Sequence, residues 1–289
     1  MADEDYLDRS KMKPGVSRRG FAAGSVAAGV AISGAARAAA ADVVETDVVI
    51  KTADGSCDAA LFHPPGKAKH PAVLMWTDIF GLRPTFRDMG RRLANEGYVV
   101  LVPNPFYRQH KAPWPDPPIN FNDPADRARM GPLTAWSTPD AVARDAVSYV
   151  GFLDAQPVTS HKAKAGVVGY CMGGPLTMRT AAALPNRIGA GVSCHGGGLV
   201  DATPNSPHLL VPMIKAAYYF GIADNDDQRQ PDAKDKLKAA FDATHVPATV
   251  EVYKGCNHGW CVKDGAAYNE AGAERAWGNM LSLYKTALV

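Results

Sequence analysis

Short apolar runs rich in β-branched residues recur along this chain, and the stretches between them carry the spacing of amphipathic helices. Residues 43–50 and 58–62 read as an opening hairpin. Residues 72–76, 98–102, 164–168, 188–193, 213–220 and 248–253 read as further strands. Helical spacing covers 85–95, 140–153, 173–184, 234–241 and 268–287, and the second of these should turn Val142, Val147, Val150 and Leu153 inward. Strands that alternate with helices call for parallel pairing through right-handed crossovers. The expected fold is therefore α/β, with a mostly parallel central sheet and helices on both faces. Such sheets offer ligands the crevice at the carboxyl ends of their strands, so the loops that follow the strands should carry the chemistry.

One of those loops is chemically distinctive. Gly169-Tyr170-Cys171-Met172-Gly173-Gly174 joins a strand to a helix. Glycines two residues either side of a cysteine let strand and helix approach without Cβ clashes, which lifts the sulfur off the sheet end. There it meets the N–H groups of a helix N-terminus, which favour thiolate character. Two later loops supply partners. Gly221-Ile222-Ala223-Asp224 follows one strand, and Gly255-Cys256-Asn257-His258-Gly259-Trp260 follows the last. Nucleophile, then acid, then histidine is the chain order of α/β-hydrolases. His258 would move the proton and Asp224 would fix its tautomer, with Asp226 and Asp227 as rivals for the acid. His195, also near a strand end, reads as a wall residue. Cys256, His258 and Cys261 lack a fourth ligand, so no metal or other cofactor is expected. Residues 109–137 hold six prolines and few apolar anchors, and form either a loop over the site or a surface meander.

These blocks resemble the dienelactone hydrolase family, from about Leu61 to Tyr284. The catalytic segments above are joined by Thr77-Asp78-Ile79-Phe80-Gly81-Leu82, which resembles the family's Glu-Ile-Phe-Gly-Leu block. Val102-Pro103-Asn104-Pro105-Phe106-Tyr107-Arg108 resembles its Pro-Asp-Leu-Tyr strand end. The resemblance implies an α/β-hydrolase that opens an ester or lactone through a Cys171–His258–Asp224 triad and a thioester acyl-enzyme. It implies an oxyanion hole from the N–H groups of Ile79 and Met172, and Asp78 as the acid that controls the thiol. It also implies Arg108 as the ligand of a substrate carboxylate, hence a small anionic substrate. Phe80, Phe106, Tyr170 and Trp260 would add flat apolar surface. Asp78 is one methylene shorter than the family's Glu, and Val262 stands where dienelactone-cleaving members carry a second arginine. Other readings are a carboxylesterase or thioesterase for another substrate, a thiol redox site that uses Cys194, or a hydrolase-like binding protein.

The first 38 residues are unlike the remainder. Ser17-Arg18-Arg19-Gly20-Phe21 precedes a run of Ala, Gly, Val and Ser, and then Ala36-Arg37-Ala38 offers a small-x-small cleavage site. This order resembles a twin-arginine signal, read by the export machinery, with a mature N-terminus between Ala39 and Asp42 and a periplasmic destination. Residues 39–289 would then form one hydrolase domain. The leader holds six of the 31 Lys and Arg and four of the 29 Asp and Glu, which leaves 25 of each. A formally neutral domain offers no basic face for nucleic acid. Arg18→Lys combined with Arg19→Lys should leave the uncleaved chain in the cytoplasm, read by cell fractionation and N-terminal sequencing.

Overall fold

The computed structural model describes residues 42–113 and 135–289, with 123–125, 128, 129 and 131. The signal expected over residues 1–38 and most of 109–137 lie outside them. Eight strands form one sheet: β1 (Val44–Thr52), β2 (Gly55–His63), β3 (Ala72–Trp76), β4 (Val99–Pro103), β5 (Ala165–Tyr170), β6 (Ile188–Cys194), β7 (Ala217–Ala223) and β8 (Ala248–Tyr253). Their spatial order is β1-β2-β4-β3-β5-β6-β7-β8. The hairpin β1–β2 and the pair β2–β4 are antiparallel, and every other pairing is parallel. Helices among the described residues include α1 (Pro84–Asn95), α2 (Pro139–Asp154), α3 (Gly173–Ala183), α4 (Asp224–Arg229), α5 (Ala233–Ala243) and α6 (Glu270–Ala287).

A parallel strand buried on both faces can be apolar at every position, and its period of two then feeds two cores. In β3, Ala72, Leu74 and Trp76 join the core that holds Tyr149 of α2, Leu176 of α3 and Phe241 of α5. Val73 and Met75 join the opposite core, with Phe86 of α1 and Met280 and Tyr284 of α6. Helices therefore cover both faces, as the alternation requires.

Three local expectations need correction. Val147 is exposed, and the inward face of α2 is instead Val142, Ala146, Tyr149, Val150 and Leu153. Those positions share a helix face, whereas a residue five on from Val142 is turned about 140° away from it. The strand expected at 213–220 begins only at Ala217, because Pro207–Met213 is a short 3-10 helix with Pro212 inside it. Finally, α4 starts at once after β7, with no intervening turn.

The topology locates the crevice. From β3 the chain crosses to β4 on one side, and then returns to place β5 on the other. The loops that leave β3 and β5 therefore diverge, and their carboxyl ends at Trp76 and Tyr170 flank an opening. The two segments delivered there begin with Thr77-Asp78-Ile79 and Cys171. Because β3 and β5 lie side by side in the sheet, Gly173→Ala should be among the most damaging single methyl additions in the protein. A Cβ there would sit 2.6 Å from the Thr77 carbonyl oxygen, and thermal unfolding should show a loss of several degrees or no folded protein at all.

Candidate active site

Cys171 occupies the left-handed region, at φ 52°, on a half-buried turn between β5 and α3. A non-glycine residue holds that conformation only where its surroundings dictate it. Here the surroundings are glycines: a Cβ on Gly169 would lie 2.0 Å from the Gly173 carbonyl oxygen, so strand and helix touch backbone to backbone. The Cys171 N–H donates to the Cys194 carbonyl at 3.1 Å and to Nδ1 of His195 at 3.0 Å, which ties the turn to the end of β6.

Met172, the first residue past the cysteine, packs with Ile79, Phe80 and Phe106. Among the described residues the N–H groups of Met172 and Ile79 donate no hydrogen bond, whereas the next one along, of Phe80, is held by Asp78 Oδ1 at 2.9 Å. Free backbone donors of this kind near a sulfur are what an oxyanion would need.

His258 follows β8 and lines the same cavity as Cys171. Its Nδ1 lies 2.5 Å from Oδ2 of Asp226, and its own N–H donates to Oδ1 of Asn225 at 2.9 Å. Burial works against a charge on this ring, but the Asp226 carboxylate and the Cys171 sulfur outweigh it and push His258 up to about 10. With Nδ1 engaged, Nε2 is the nitrogen left to exchange a proton with substrate. His195, a wall residue of the cavity as expected, meets His258 edge to face at 5.2 Å between centroids. Burial holds His195 neutral, and the neighbouring His258 adds to that.

The carboxylate on the histidine is Asp226, and the expectation of Asp224 is corrected. Asp224 accepts from the Gly255 N–H and from Lys254 Nζ, both at 3.0 Å, and so staples the start of α4 to the turn after β8. Two residues along a helix are about 200° apart, so 224 and 226 cannot face the same partner. A loop was expected here, and the immediate start of α4 decided the choice.

Comparison with known proteins bears on the family and the fold. The model of the dienelactone hydrolase family matches residues 57–288. The chain belongs to the dienelactone hydrolase family. A carboxymethylenebutenolidase of Pseudomonas putida is 28% identical over 170 residues, 58% of this chain and 67% of that protein. An Escherichia coli K12 protein named "Putative carboxymethylenebutenolidase" is 28% identical over 219 residues, 74% of this chain and 76% of its own length. The crystal structure of a dienelactone hydrolase-like promiscuous phosphotriesterase from metagenomic libraries superposes with a TM-score of 0.70. It is 20% identical, with 86% of this chain and all of that one covered, and it shares the α/β-hydrolase fold.

Against the family pattern, four expected site residues are placed elsewhere or otherwise engaged. Arg108 lies away from the cavity: Asp145, itself 1% exposed, grips its guanidinium at 2.8 and 2.9 Å, and Asp54 adds a contact at 2.6 Å. The ring of Trp136 lies 5.0 Å from the same guanidinium. This arginine ties the hairpin turn to α2. Tyr170 is buried on the opposite face, edge on to Phe86, because the last side chain of β5 alternates away from the crevice. Trp260 is fully buried and stacks on Tyr253 at 4.7 Å, behind His195 rather than in the cavity. Asp78 does line the cavity, but Arg83 takes both of its oxygens, at 2.6 and 2.8 Å. It makes no hydrogen bond to Cys171, so the expectation of a thiol-controlling acid is not met by its geometry. Phe80, Ile79 and Val262 line the cavity. Sequence reasoning passed over Arg83 and Asp264, which also line it. The only signal for Arg83 was a cation just before Pro84, the first residue of α1.

Two outcomes check this geometry. Asp226→Asn should slow hydrolysis on the order of 10²–10⁴-fold, and Asp224→Asn should act on thermal stability and leave turnover within about threefold. The raised His258 stabilises the fold fully below about pH 6.5, its ordinary value, and that contribution is lost as the pH rises through about 10. The midpoint of thermal unfolding should therefore fall more steeply between those pH values in the native protein than in His258→Gln.

Proposed function

We propose that this chain hydrolyses carboxylic esters or lactones with Cys171 as nucleophile, His258 as proton carrier and Asp226 as the carboxylate that orients it. The observation that carries the reading is the 2.5 Å contact of Asp226 with His258 Nδ1, on a ring that shares a cavity with Cys171. Membership of the dienelactone hydrolase family supports the same class of reaction, and its carboxymethylenebutenolidase relatives are named for a lactone.

In this reading the Cys171 sulfur, its proton held by His258, attacks the carbonyl carbon. The new oxyanion takes the free N–H groups of Ile79 and Met172. Collapse breaks the carbon–oxygen bond, and His258 returns the proton to the leaving alkoxide. A thioester remains. His258 then deprotonates a water that attacks the thioester, and the acid leaves as the thiol is restored. In a lactone the alcohol stays tethered to the acyl group until this last step. The redox alternative has little support, since Cys194 is buried and its sulfur neighbours Cys261. Export through residues 1–38 would place the reaction outside the cytoplasm.

Cys171→Ala should abolish ester hydrolysis and leave the folded state intact, read by p-nitrophenyl ester cleavage and circular dichroism. In the native protein iodoacetamide should label Cys171 first, because Cys57, Cys194, Cys256 and Cys261 are all buried.

A further inference from the structure

The cavity over Cys171 measures about 880 Å³, room for a ligand far larger than a small acid. Ile79, Phe80, Pro113, Val262, Ala266 and Ala267 supply its apolar lining. Apart from His258 beside Cys171, its charged lining among the described residues is one guanidinium and two carboxylates: Arg83, Asp78 and Asp264.

A guanidinium has five N–H donors, and all five of Arg83 are occupied. Nη1 donates to Asp78 Oδ1 at 2.6 Å and to the Gly81 carbonyl at 3.3 Å. Nη2 donates to Asp78 Oδ2 at 2.8 Å and to Asp264 Oδ1 at 3.0 Å. Nε donates to Asp264 Oδ2 at 2.8 Å. The rings of Phe80 and Phe86 lie 5.3 and 5.1 Å from the same group. A substrate carboxylate could reach Arg83 only by displacing one of two bidentate partners, and it would enter beside two like charges.

Building on the hydrolase reading above, we infer that the site selects a bulky uncharged ester, and that Asp264 is the specificity-determining residue that closes Arg83 to anions. Asp78 is 6% exposed and anchored also by the Phe80 N–H, so it is the fixed partner. Asp264, with its side chain 45% exposed at the cavity edge, is the partner whose charge can be removed with least disturbance.

The test uses a matched pair of substrates, mono-p-nitrophenyl adipate and its methyl ester, which differ in one negative charge. The native protein should cleave the uncharged diester with a kcat/KM at least about tenfold higher. Asp264→Asn leaves one acceptor oxygen where there were two, so it frees one donor of Arg83 and removes a like charge, and should raise the charged-to-neutral ratio of kcat/KM by about tenfold. Preference of the native protein for the charged ester, or an unchanged ratio in Asp264→Asn, would overturn the inference and leave the hydrolase reading standing. Failure to cleave either ester would overturn both.

Discussion

At Gly169 and Gly173 a strand and a helix touch through their backbones, and no side chain can be admitted between them. That contact bends the chain so sharply that Cys171 is driven into the left-handed region. The cysteine then stands at the sheet end, beside the segment that leaves β3, and both cores of the protein hold the two strands in place. The left-handed cysteine is a strained arrangement that the surrounding packing maintains. The Met172 N–H is left free just past that turn, and His258 reaches the same sulfur from the loop after β8.

Electrostatics divides the acidic residues near the crevice into distinct tasks. Asp226 raises and orients His258, while Asp224, two residues earlier, fastens the loop that carries the histidine. Asp145 and Asp54 hold Arg108 between α2 and the β1–β2 turn, and Asp78 and Asp264 consume Arg83 at the cavity edge. In each case a buried or half-buried cation is satisfied by carboxylates of its own chain, as burial of a charge demands. The family's use of arginine to hold a substrate carboxylate thus has no counterpart among the described residues. An apolar cavity is what the same cluster borders.

Much of this is legible in the amino-acid sequence. The period-two apolar runs and the glycines around Cys171 each reflect a local steric rule, and local rules can be read from sequence neighbours. His258 was legible because its loop follows the last strand, where the fold presents ligands. Asp226 was visible only as a rival, since the choice between it and Asp224 turns on whether the chain after Ala223 is a loop or a helix. The short α4 carries no apolar periodicity to announce itself. Tyr170 and Trp260 were assigned to the cavity for lying beside motif residues, but neighbours in a strand or turn point to opposite sides.

The sequence by itself determined the order of elements, the parallel sheet, the glycine-flanked turn at Cys171 and the reach of the dienelactone hydrolase resemblance, because each rests on spacing along the chain. Tertiary structure alone decided which acid meets the histidine, which aromatic rings are core and which arginine faces the crevice. Those are contacts between residues far apart in sequence: Arg83 meets Asp264 across 181 positions, and Arg108 meets Asp145 across 37. A guanidinium's partners depend on what the fold brings within hydrogen-bond distance, and no periodicity encodes that distance.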